Sequence, residues 1–298
     1  MKKNVLLTGA TGFIGRYTVK KFLEENYNVI ALVRTKSPVF DADIQVIEAD
    51  ISDEDMIATT TSQVKQCDIV VHLAANLDMK GSDETISVNC TGTYHLIRLA
   101  TLLSAQKFIY ISSIPIIGNP KLLPVTEEHP VEPKTLYHIS KHMGEQIVQS
   151  LCPPDMETVI LRIPSPIGVG MSEHNYLSFL LKKFLKNEPV ELFGQGMRRQ
   201  NYIDVRDIAS AILCASGSHY RGLFLIAGKQ EISNRDLAFL CKELTNSHSE
   251  ITWGKKDDPE EENQWVIKTE KAQEQLGFFP EYNLKDTLCW ILSCYEKE

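Results

Sequence analysis

Residues 8–15, Thr-Gly-Ala-Thr-Gly-Phe-Ile-Gly, limit the possible folds of this chain more than any other stretch. The apolar run at 5–7 that precedes them is typical of a buried strand. Ile14, Thr18 and Phe22 then recur at the spacing of a helix. Glycines permit a tight turn and a close approach to a pyrophosphate, which the N–H groups of a helix N-terminus can bind. We therefore predict a dinucleotide-binding strand, turn and helix; the alternative is an ordinary glycine-rich loop.

The composition restricts the class of protein. With 298 residues and 43% hydrophobic content, the chain can form a full core in one large or two modest domains. The net charge of −8 argues against a nucleic-acid surface. Seven cysteines without a Cys-x-x-Cys pair indicate free thiols in a reducing compartment. Since no apolar run reaches the length of a signal-peptide core or the roughly 18 residues of a membrane span, we expect a cytoplasmic protein that binds neither nucleic acid nor membrane.

Apolar runs with the character of strands alternate with helical patterns over the first half of the chain. The alternation predicts an α/β fold with a doubly wound parallel sheet of the Rossmann type. It stops after residue 163, where the stretch 164–170 is rich in proline and glycine. We therefore predict an NAD(P)-binding Rossmann domain at 1–163, to which residues 201–228 return, and a smaller mixed substrate-binding domain at 164–298. The predicted later strands of the sheet are 28–33, 44–47, 68–75, 108–111, 159–163 and 223–226.

Two positions beyond the glycine turn bear on the cofactor. Arg34 follows the second predicted strand, 19 positions after Gly15, where a dinucleotide fold meets the adenosine ribose. An arginine there accommodates a 2′-phosphate, so Arg34 favours NADP over NAD; the alternative is a solvated arginine at a strand end. Asp50 can accept a hydrogen bond from an adenine amino group, or it can cap a helix that starts near Asp53.

Tyr137 and Lys141 form a candidate proton-transfer pair. Their i, i+4 spacing, in a helix that Thr135 can cap, places the phenol and the ammonium on one face. An ammonium near a phenol lowers the pKa of the phenol toward the working range of a general base. Tyr-x-x-x-Lys is common by chance, but the serine pair at 112–113 on the preceding strand and the glycine turn upstream give it weight.

Three further features leave alternatives open. Residues 115–133 contain five prolines and predict a lid or a binding loop. His138 and His142 share a helical face, but no third ligand at a convincing spacing supports a metal site. Arg198 and Arg199 are either solvated surface charges or a clamp for a ligand diphosphate.

Several motifs occur in the order and spacing of one enzyme family. They are residues 8–15, His-Leu-Ala-Ala at 72–75, Val-Asn-Cys-Thr-Gly-Thr at 88–93, Ile-Ser-Ser at 111–113, Tyr137-x-x-x-Lys141, Asn-Tyr-Ile-Asp-Val-Arg-Asp-Ile-Ala at 201–209 and Leu-Gly-Phe-Phe-Pro at 276–280. From Asn4 to about residue 292, the chain resembles an extended short-chain dehydrogenase/reductase of the NAD-dependent epimerase/dehydratase family. One such motif is weak evidence, whereas the ordered set is specific.

The resemblance implies a cofactor site, a catalytic group and a substrate site. Tyr137 is expected to be the acid/base, Lys141 to bind the nicotinamide ribose while depressing the pKa of the tyrosine, and Ser113 to hydrogen-bond the reacting oxygen. The residues expected around NAD(P) are Gly9, Thr11, Gly12, Phe13, Ile14, Gly15, Arg34, Asp50, Ile51, Leu73, Ala74, Ala75, Ser112, Tyr137, Lys141 and Pro164. Those expected around the substrate are Ser113, Ser165, Arg199 and Gln200, and no metal is expected.

Three positions depart from the family pattern. Family dehydratases usually carry an acid after the catalytic Ser/Thr, but Ile114-Pro115 stands there, which argues against elimination of water. The usual asparagine after the sixth strand is Ser165, and the usual arginine before the Asp-Phe/Tyr-Ile pair is Gln200. The departures weaken the case for a sugar nucleotide more than the case for the fold or the cofactor.

Three functions are compatible with these motifs. The first is a nucleotide-sugar epimerase of the UDP-glucose 4-epimerase type, which oxidises a C–OH group transiently with Tyr137 as acid/base. The second is a net NADP-dependent reductase of a ketone or 4-keto sugar, which Arg34 and the substrate-site departures favour. The third is a non-catalytic NAD(P) sensor, against which the intact set of Ser113, Tyr137 and Lys141 argues.

A homodimer is also expected, because in the resembled family two helices pack against their symmetry mates in a four-helix bundle. The corresponding helices here are predicted at 86–104 and 135–150. Each helix has only one face to lay on the sheet, so we predict that part of its apolar surface is covered by a second copy. The residues named for this surface are Leu96, Leu99, Leu103, Ile147, Val148 and Leu151; the alternative is that all six pack within one chain.

Overall fold

Alternate residues of the first strand point into two different cores. Val5 and Leu7 belong to one buried cluster, whereas Leu6 belongs to the other. This alternation places helices on both faces of a sheet, because each face must be covered by apolar side chains. A computed structural model, which describes residues 2–35, 44–254 and 256–295, shows the resulting seven-stranded sheet in the order β10-β6-β5-β4-β1-β2-β3.

The helices and strands have the following bounds. The strands are β1 Asn4–Thr8, β2 Asn28–Val33, β3 Gln45–Glu48, β4 Ile69–His72, β5 Lys107–Ser113, β6 Glu157–Ile163, β7 Ser165–Ile167, β8 Val190–Leu192, β9 Arg199–Asp204, β10 Gly222–Leu225, β11 Glu231–Ser233 and β12 Ile251–Trp253. The helices are α1 Phe13–Glu24, α2 Asp55–Gln63, α3 Asp83–Ile86, α4 Gly92–Leu102, α5 Leu136–Leu151, α6 Tyr176–Leu185, α7 Val205–Gly217, α8 Asn234–Leu244 and α9 Leu284–Tyr295.

The predicted fold class is confirmed, because all neighbouring strands of the large sheet run parallel. The strand predicted at 68–75 ends at His72, so residues 73–75 leave the sheet at its carboxyl edge. The helix predicted at 86–104 begins earlier, as α3, and runs through a π-helical turn, Ser87–Thr91, into α4. Within the described ranges, no helix has both the length and the apolar character that a membrane span requires.

The remaining strands and helices form a smaller C-terminal lobe. It contains the three-stranded sheet β11-β9-β7, the two-stranded sheet β12-β8, and α6, α8 and α9 around their own apolar core. After β9 and α7 the chain returns to the large sheet, where β10 forms the edge strand beside β6. The division into domains at residues 163 and 164 stays a prediction.

Side chains fix the ends of the helices that carry the site. Thr135 caps α5, since its hydroxyl accepts a hydrogen bond from the backbone N–H of His138. Asp204 caps α7 in the same way. At the other end of α7, the buried Lys107 Nζ donates to the carbonyl oxygens of Ala215 and Ser216 at 2.9 and 3.2 Å. A lysine there satisfies the last carbonyls and complements the helix dipole.

Candidate active site

The glycine turn between β1 and α1 has the shape of a phosphate cradle. Gly9 has a φ of +69°, and a Cβ atom on it would lie 2.6 Å from the backbone nitrogen of Ala74. A Cβ atom on Gly15 would lie 2.0 Å from the carbonyl oxygen of Gly9, so the turn and the helix start can approach this closely only with glycine. Gly12 occupies the N-cap of α1 without a side chain to cap it. The first N–H groups of α1 are thus available for an anion, and the cradle fits the pyrophosphate of a dinucleotide.

The small residues predicted to line the dinucleotide path lie next to this cradle. Residues 73–75 follow β4, and the N–H of Ala74 donates to the hydroxyl of Thr8 at 3.2 Å. Asp50 accepts hydrogen bonds from the N–H and the hydroxyl of Ser52 at 2.9 and 2.7 Å. It does not cap α2, which begins at Asp55. Of the two roles left open for Asp50, the helix cap is excluded.

Arg34 lies at the carboxyl end of β2, as expected, and its side chain is exposed. Its Nη1 atom forms an ion pair with Glu84 at 2.7 Å, with 68% and 54% of the two side chains exposed. Ion pairs this exposed are weak and are screened by salt. The guanidinium is therefore accessible to a ligand that can displace Glu84.

The predicted serine pair ends strand β5, which packs against α5. Ser113 is buried and pairs with Ile163, the last residue of the neighbouring strand β6. Pro164 follows that strand directly and therefore lies near Ser113. Ser112 Oγ is buried and has no hydrogen-bond partner among the described residues. A buried hydroxyl of this kind usually has a partner. A bound ligand would supply it, which again fits a cofactor at this edge.

Tyr137 and Lys141 lie one turn apart on α5, but their electrostatics differ from the expectation. Burial raises the pKa of Tyr137 to about 12, and Lys141 does not lower it in this structure. Burial also lowers the pKa of Lys141 to about 7, with Glu145 acting in the opposite direction. Because burial reduces the charge on Lys141 near neutral pH, the lysine favours the phenolate of Tyr137 less than a fully charged ammonium would. The structure therefore shows an increase in the pKa of Tyr137 where the sequence predicted a depression.

A buried ion pair below Lys141 was not predicted. Arg162 on β6 donates from Nε and Nη2 to the two carboxylate oxygens of Glu145 at 2.8 and 2.7 Å. Removing one partner of such a pair costs about 3–5 kcal/mol, because it leaves a buried charge without compensation. The available signal was a glutamate four residues after Lys141, together with an arginine inside the apolar strand 157–163.

Asn89 connects the segment after β4 to α5, and no role was predicted for it. Its side chain lies in the π-helical turn and accepts from the N–H of Asn76 at 2.7 Å. Its amide nitrogen donates to Ser140 Oγ at 2.8 Å, and Ser140 Oγ donates to the carbonyl oxygen of Tyr137 at 2.7 Å. The chain of bonds fixes the backbone that carries Tyr137.

A cavity of about 300 Å³ opens beside this helix, between the large sheet and the C-terminal lobe. Thr135 and His138, which flank Tyr137 in the sequence, belong to its wall. The predicted residues Pro164, Ser165 and Gln200 also line the cavity. Further residues of the wall are Met79, Pro115, Gly118, Asn119, Lys134, Arg198, Asn201, Glu260, Asn263 and Trp265.

The two adjacent arginines have different surroundings. Arg198 lines the cavity, where its Nη2 atom forms an ion pair with Glu260 at 2.6 Å. Lys134 joins the same carboxylate at 3.4 Å. Arg199, which was predicted to contact substrate, is instead held by Glu231, whose side chain lies at 3.4 Å and whose carbonyl oxygen lies at 3.3 Å. Arg198 and not Arg199 lines the cavity, and the substrate contact predicted for Arg199 stays a prediction.

Two further expectations concern apolar and metal-binding residues. The helix surface named for a dimer is corrected, since Leu96, Leu99, Leu103 and Val148 are fully buried within one chain. Their helices pack against one another and against α2 as well as the sheet. Among the described residues, no group of three or more His, Cys, Asp or Glu side chains is arranged to hold a metal ion.

A glycine cradle on a doubly wound parallel sheet, beside a cavity shared with a second lobe, defines a dinucleotide-dependent enzyme. A sequence model described as the NAD dependent epimerase/dehydratase family matches residues 5–223, and the chain belongs to this family.

Individual relatives agree with this assignment. The chain is 29% identical over 296 residues to a putative UDP-glucose 4-epimerase of Methanocaldococcus jannaschii, with 95% of each chain covered. It is 28% identical over 319 residues to dTDP-D-glucose 4,6-dehydratase of Mus musculus, covering 97% of this chain and 88% of the relative. The crystal structure of UDP-glucose 4-epimerase with UDP-glucose from Thermotoga maritima superposes with a TM-score of 0.89 at 25% identity, with 99% of each chain covered.

Proposed function

We propose that the protein is an NAD(P)-dependent nucleotide-sugar epimerase of the 4-epimerase type. The proposal is carried by the position of Tyr137 on α5, where it lies beside His138, a residue that lines the cavity together with Pro164, Ser165 and Gln200. The similarity to the UDP-glucose 4-epimerases of Methanocaldococcus jannaschii and Thermotoga maritima supports it. A net dehydratase is not favoured, because the position after Ser113 holds Ile114, which is buried in an apolar cluster and offers no acid.

The residues of this chain have distinct roles in the proposed reaction. When bound, the nicotinamide supplies the redox chemistry for a C–OH group of the sugar. Tyr137, acting as the phenolate, takes the hydroxyl proton as that group becomes a ketone, and the resulting phenol returns the proton when the ketone is reduced from its other face. Ser113 hydrogen-bonds the same oxygen, and Lys141 holds the nicotinamide ribose. Glycines 9, 12 and 15 hold the pyrophosphate of the cofactor.

The cavity wall supports a diphosphate group in the substrate. Arg198 is the cation best placed for it, and its Nε atom is buried without a hydrogen-bond partner in the described part of the chain. Guanidinium groups bind phosphate oxygens in pairs. Arg198 thus binds the diphosphate in place of the arginine that the family usually carries at the position of Gln200.

We further propose that Arg34 gives the enzyme a preference for NADP, by exchanging Glu84 for the 2′-phosphate. A homodimer and a cytoplasmic location complete the proposal. The location is supported by the seven cysteines, which all lie in the described ranges and are all free thiols.

A second candidate is an NADP-dependent reductase of a ketone or keto sugar. Ser165 and Gln200 favour it, since both line the cavity at positions where the resembled family carries an asparagine and an arginine. The two reactions differ in their use of cofactor, because an epimerase regenerates its cofactor in each turnover and a reductase consumes it.

The test is to incubate the purified protein with UDP-galactose, UDP-glucose and their N-acetylated analogues, with a trace of NAD or NADP and no reductant. We expect conversion to the 4-epimer, measured by NMR, with no accumulation of reduced cofactor. Conversion of a keto sugar only with stoichiometric NADPH would establish the reductase instead. Binding of cofactor without any turnover would contradict both and favour a sensor.

A further inference from the structure

His138 follows the proposed acid/base and lines the same cavity. The rings of Tyr137 and His138 have centroids 5.2 Å apart and planes inclined at 59°. His138 is thus the residue of the cavity wall whose ring lies beside the proposed acid/base. Arg198 and Glu260 stand elsewhere on the cavity wall, on segments of the C-terminal lobe. His138 is therefore in place to contact the sugar and not the nucleotide.

The contacts of His138 determine which ring nitrogen carries the proton. Its Nδ1 atom lies 3.0 Å from the hydroxyl of Thr135, which also accepts from the backbone N–H of His138 at 3.2 Å. The hydroxyl has one proton to donate, either to this Nδ1 or to the sulfur of Met79 at 3.8 Å. A thioether is a weak acceptor and an imidazole nitrogen a strong one, so the proton goes to Nδ1. The neutral ring then carries its own proton on Nε2.

Nε2 has no hydrogen-bond partner in the portion of the chain that the structure describes. Burial lowers the pKa of His138, which is consistent with a neutral ring. A neutral imidazole whose Nδ1 is fixed by Thr135 presents a single directed donor.

We propose that His138 positions the substrate, by donating a hydrogen bond from Nε2 to a hydroxyl or keto oxygen of the sugar ring. The inference rests on the proposed function and deepens it. Held between Tyr137 and this donor, the sugar presents its reacting C–OH group to the phenol. His138 acts as a neutral donor and not as a second acid/base, because its proton on Nε2 is retained while Thr135 occupies Nδ1.

The test compares His138→Gln with His138→Asn. The glutamine amide nitrogen reaches about as far as Nε2, whereas that of asparagine reaches only as far as Nδ1. With UDP-galactose as substrate, we expect the glutamine variant to keep KM within about threefold of the wild type. The asparagine variant should raise KM by about ten- to hundredfold with little change in kcat, as expected for the loss of one buried hydrogen bond. Binding of UDP alone, measured by calorimetry, should be the same in all three proteins.

His138→Phe is a further test of the donor, and His174→Phe is its matched control. The first keeps the ring and removes the donor, so it should behave like the asparagine variant; the second alters an exposed histidine outside the cavity and should change nothing. A loss of kcat at constant KM, or equal losses for UDP and UDP-galactose, would overturn the positioning role. An active wild type with an unaltered asparagine variant would refute this inference alone. A wild type that neither binds nor converts any UDP-hexose would refute the proposed function, and the inference with it.

Discussion

The ammonium nitrogen of Lys141 lies 4.1 Å from the centroid of the Tyr110 ring, which is fully buried. A cation over an aromatic face recovers part of the hydration that the ammonium loses on burial. The recovery is incomplete, since the pKa of Lys141 is lowered to about 7. The charged form of Lys141 is thus destabilised by burial in the folded protein.

The first prediction follows from the sign of this shift. An unfolded lysine has a pKa near 10.4, so between about pH 7 and 10 the unfolded chain binds one proton more than the folded chain. The free energy of unfolding therefore rises with pH in that window. Below about pH 7, where the buried lysine is charged, the protein pays the full cost of burying that charge. Lys141→Met removes the cost. We expect it to raise the free energy of unfolding more near pH 6 than near pH 9, measured by urea denaturation.

Lys20→Met is the control for this prediction, because Lys20 is an exposed residue of α1. Its effect should be small and the same at both pH values. If Lys141→Met destabilised the protein equally at both pH values, the buried ammonium would not be the cause.

The second prediction concerns the acid/base. Tyr137→Phe keeps the ring that packs beside His138 and removes only the hydroxyl. We expect turnover to fall by about 10²–10⁴, the usual contribution of a general acid/base, while the affinity for NAD(P) stays the same. Steady-state kinetics and fluorescence titration with the cofactor measure the two effects. Tyr220→Phe, on an exposed tyrosine, is the control, and a loss of only a few-fold in the Tyr137 variant would contradict the assignment.

Local patterns predicted the framework of the site, because its strands and helix caps are encoded over short stretches. β2 has the predicted bounds, and Thr135 caps α5 as its position indicated. The partners of charged side chains that are distant in sequence were beyond such reasoning. Lys134 and Glu260 are 126 residues apart, and nothing local relates them.

Two further details depend on packing that local patterns do not encode. Arg199 begins β9, and successive residues at a strand start point in different directions, so the phase of the strand decides which of the two arginines lines the cavity. The leucines of α4 were predicted to lie in a dimer interface, because we assumed that each helix buries only one face within its own chain. In the structure, α2 and α5 cover the flanks of α4, so most of its circumference is buried.

The third prediction concerns the choice of cofactor. The exposed carboxylate of Glu84 competes with a 2′-phosphate for Arg34. Glu84→Gln should therefore strengthen NADP binding by about two- to fivefold and leave NAD binding unchanged, since an exposed ion pair is weak. Arg34→Asp should reverse the preference, because a carboxylate at this position binds the ribose hydroxyls of NAD. Affinities of both cofactors for the three proteins decide the matter; a wild type that prefers NAD would show that Arg34 is merely solvated.

The last prediction is the homodimer, with a corrected surface. The exposed apolar side chains of the two helices are Tyr94 and Leu102 on α4, and Ile139, Met143 and Leu151 on α5. Ile139 and Met143 are one turn apart, so they form a continuous apolar strip on α5.

An apolar strip on two adjacent helices is suited to a two-fold contact with a second copy. Light scattering at micromolar concentration should give twice the chain mass of 33.7 kDa for the wild type. Met143→Glu places a charge in the strip and should give the mass of one chain, because burying an unpaired carboxylate is costly. Phe239→Glu, an equally exposed apolar residue on α8, should remain dimeric. A wild-type mass of one chain that does not change with concentration would exclude the dimer and leave the strip on α5 facing solvent.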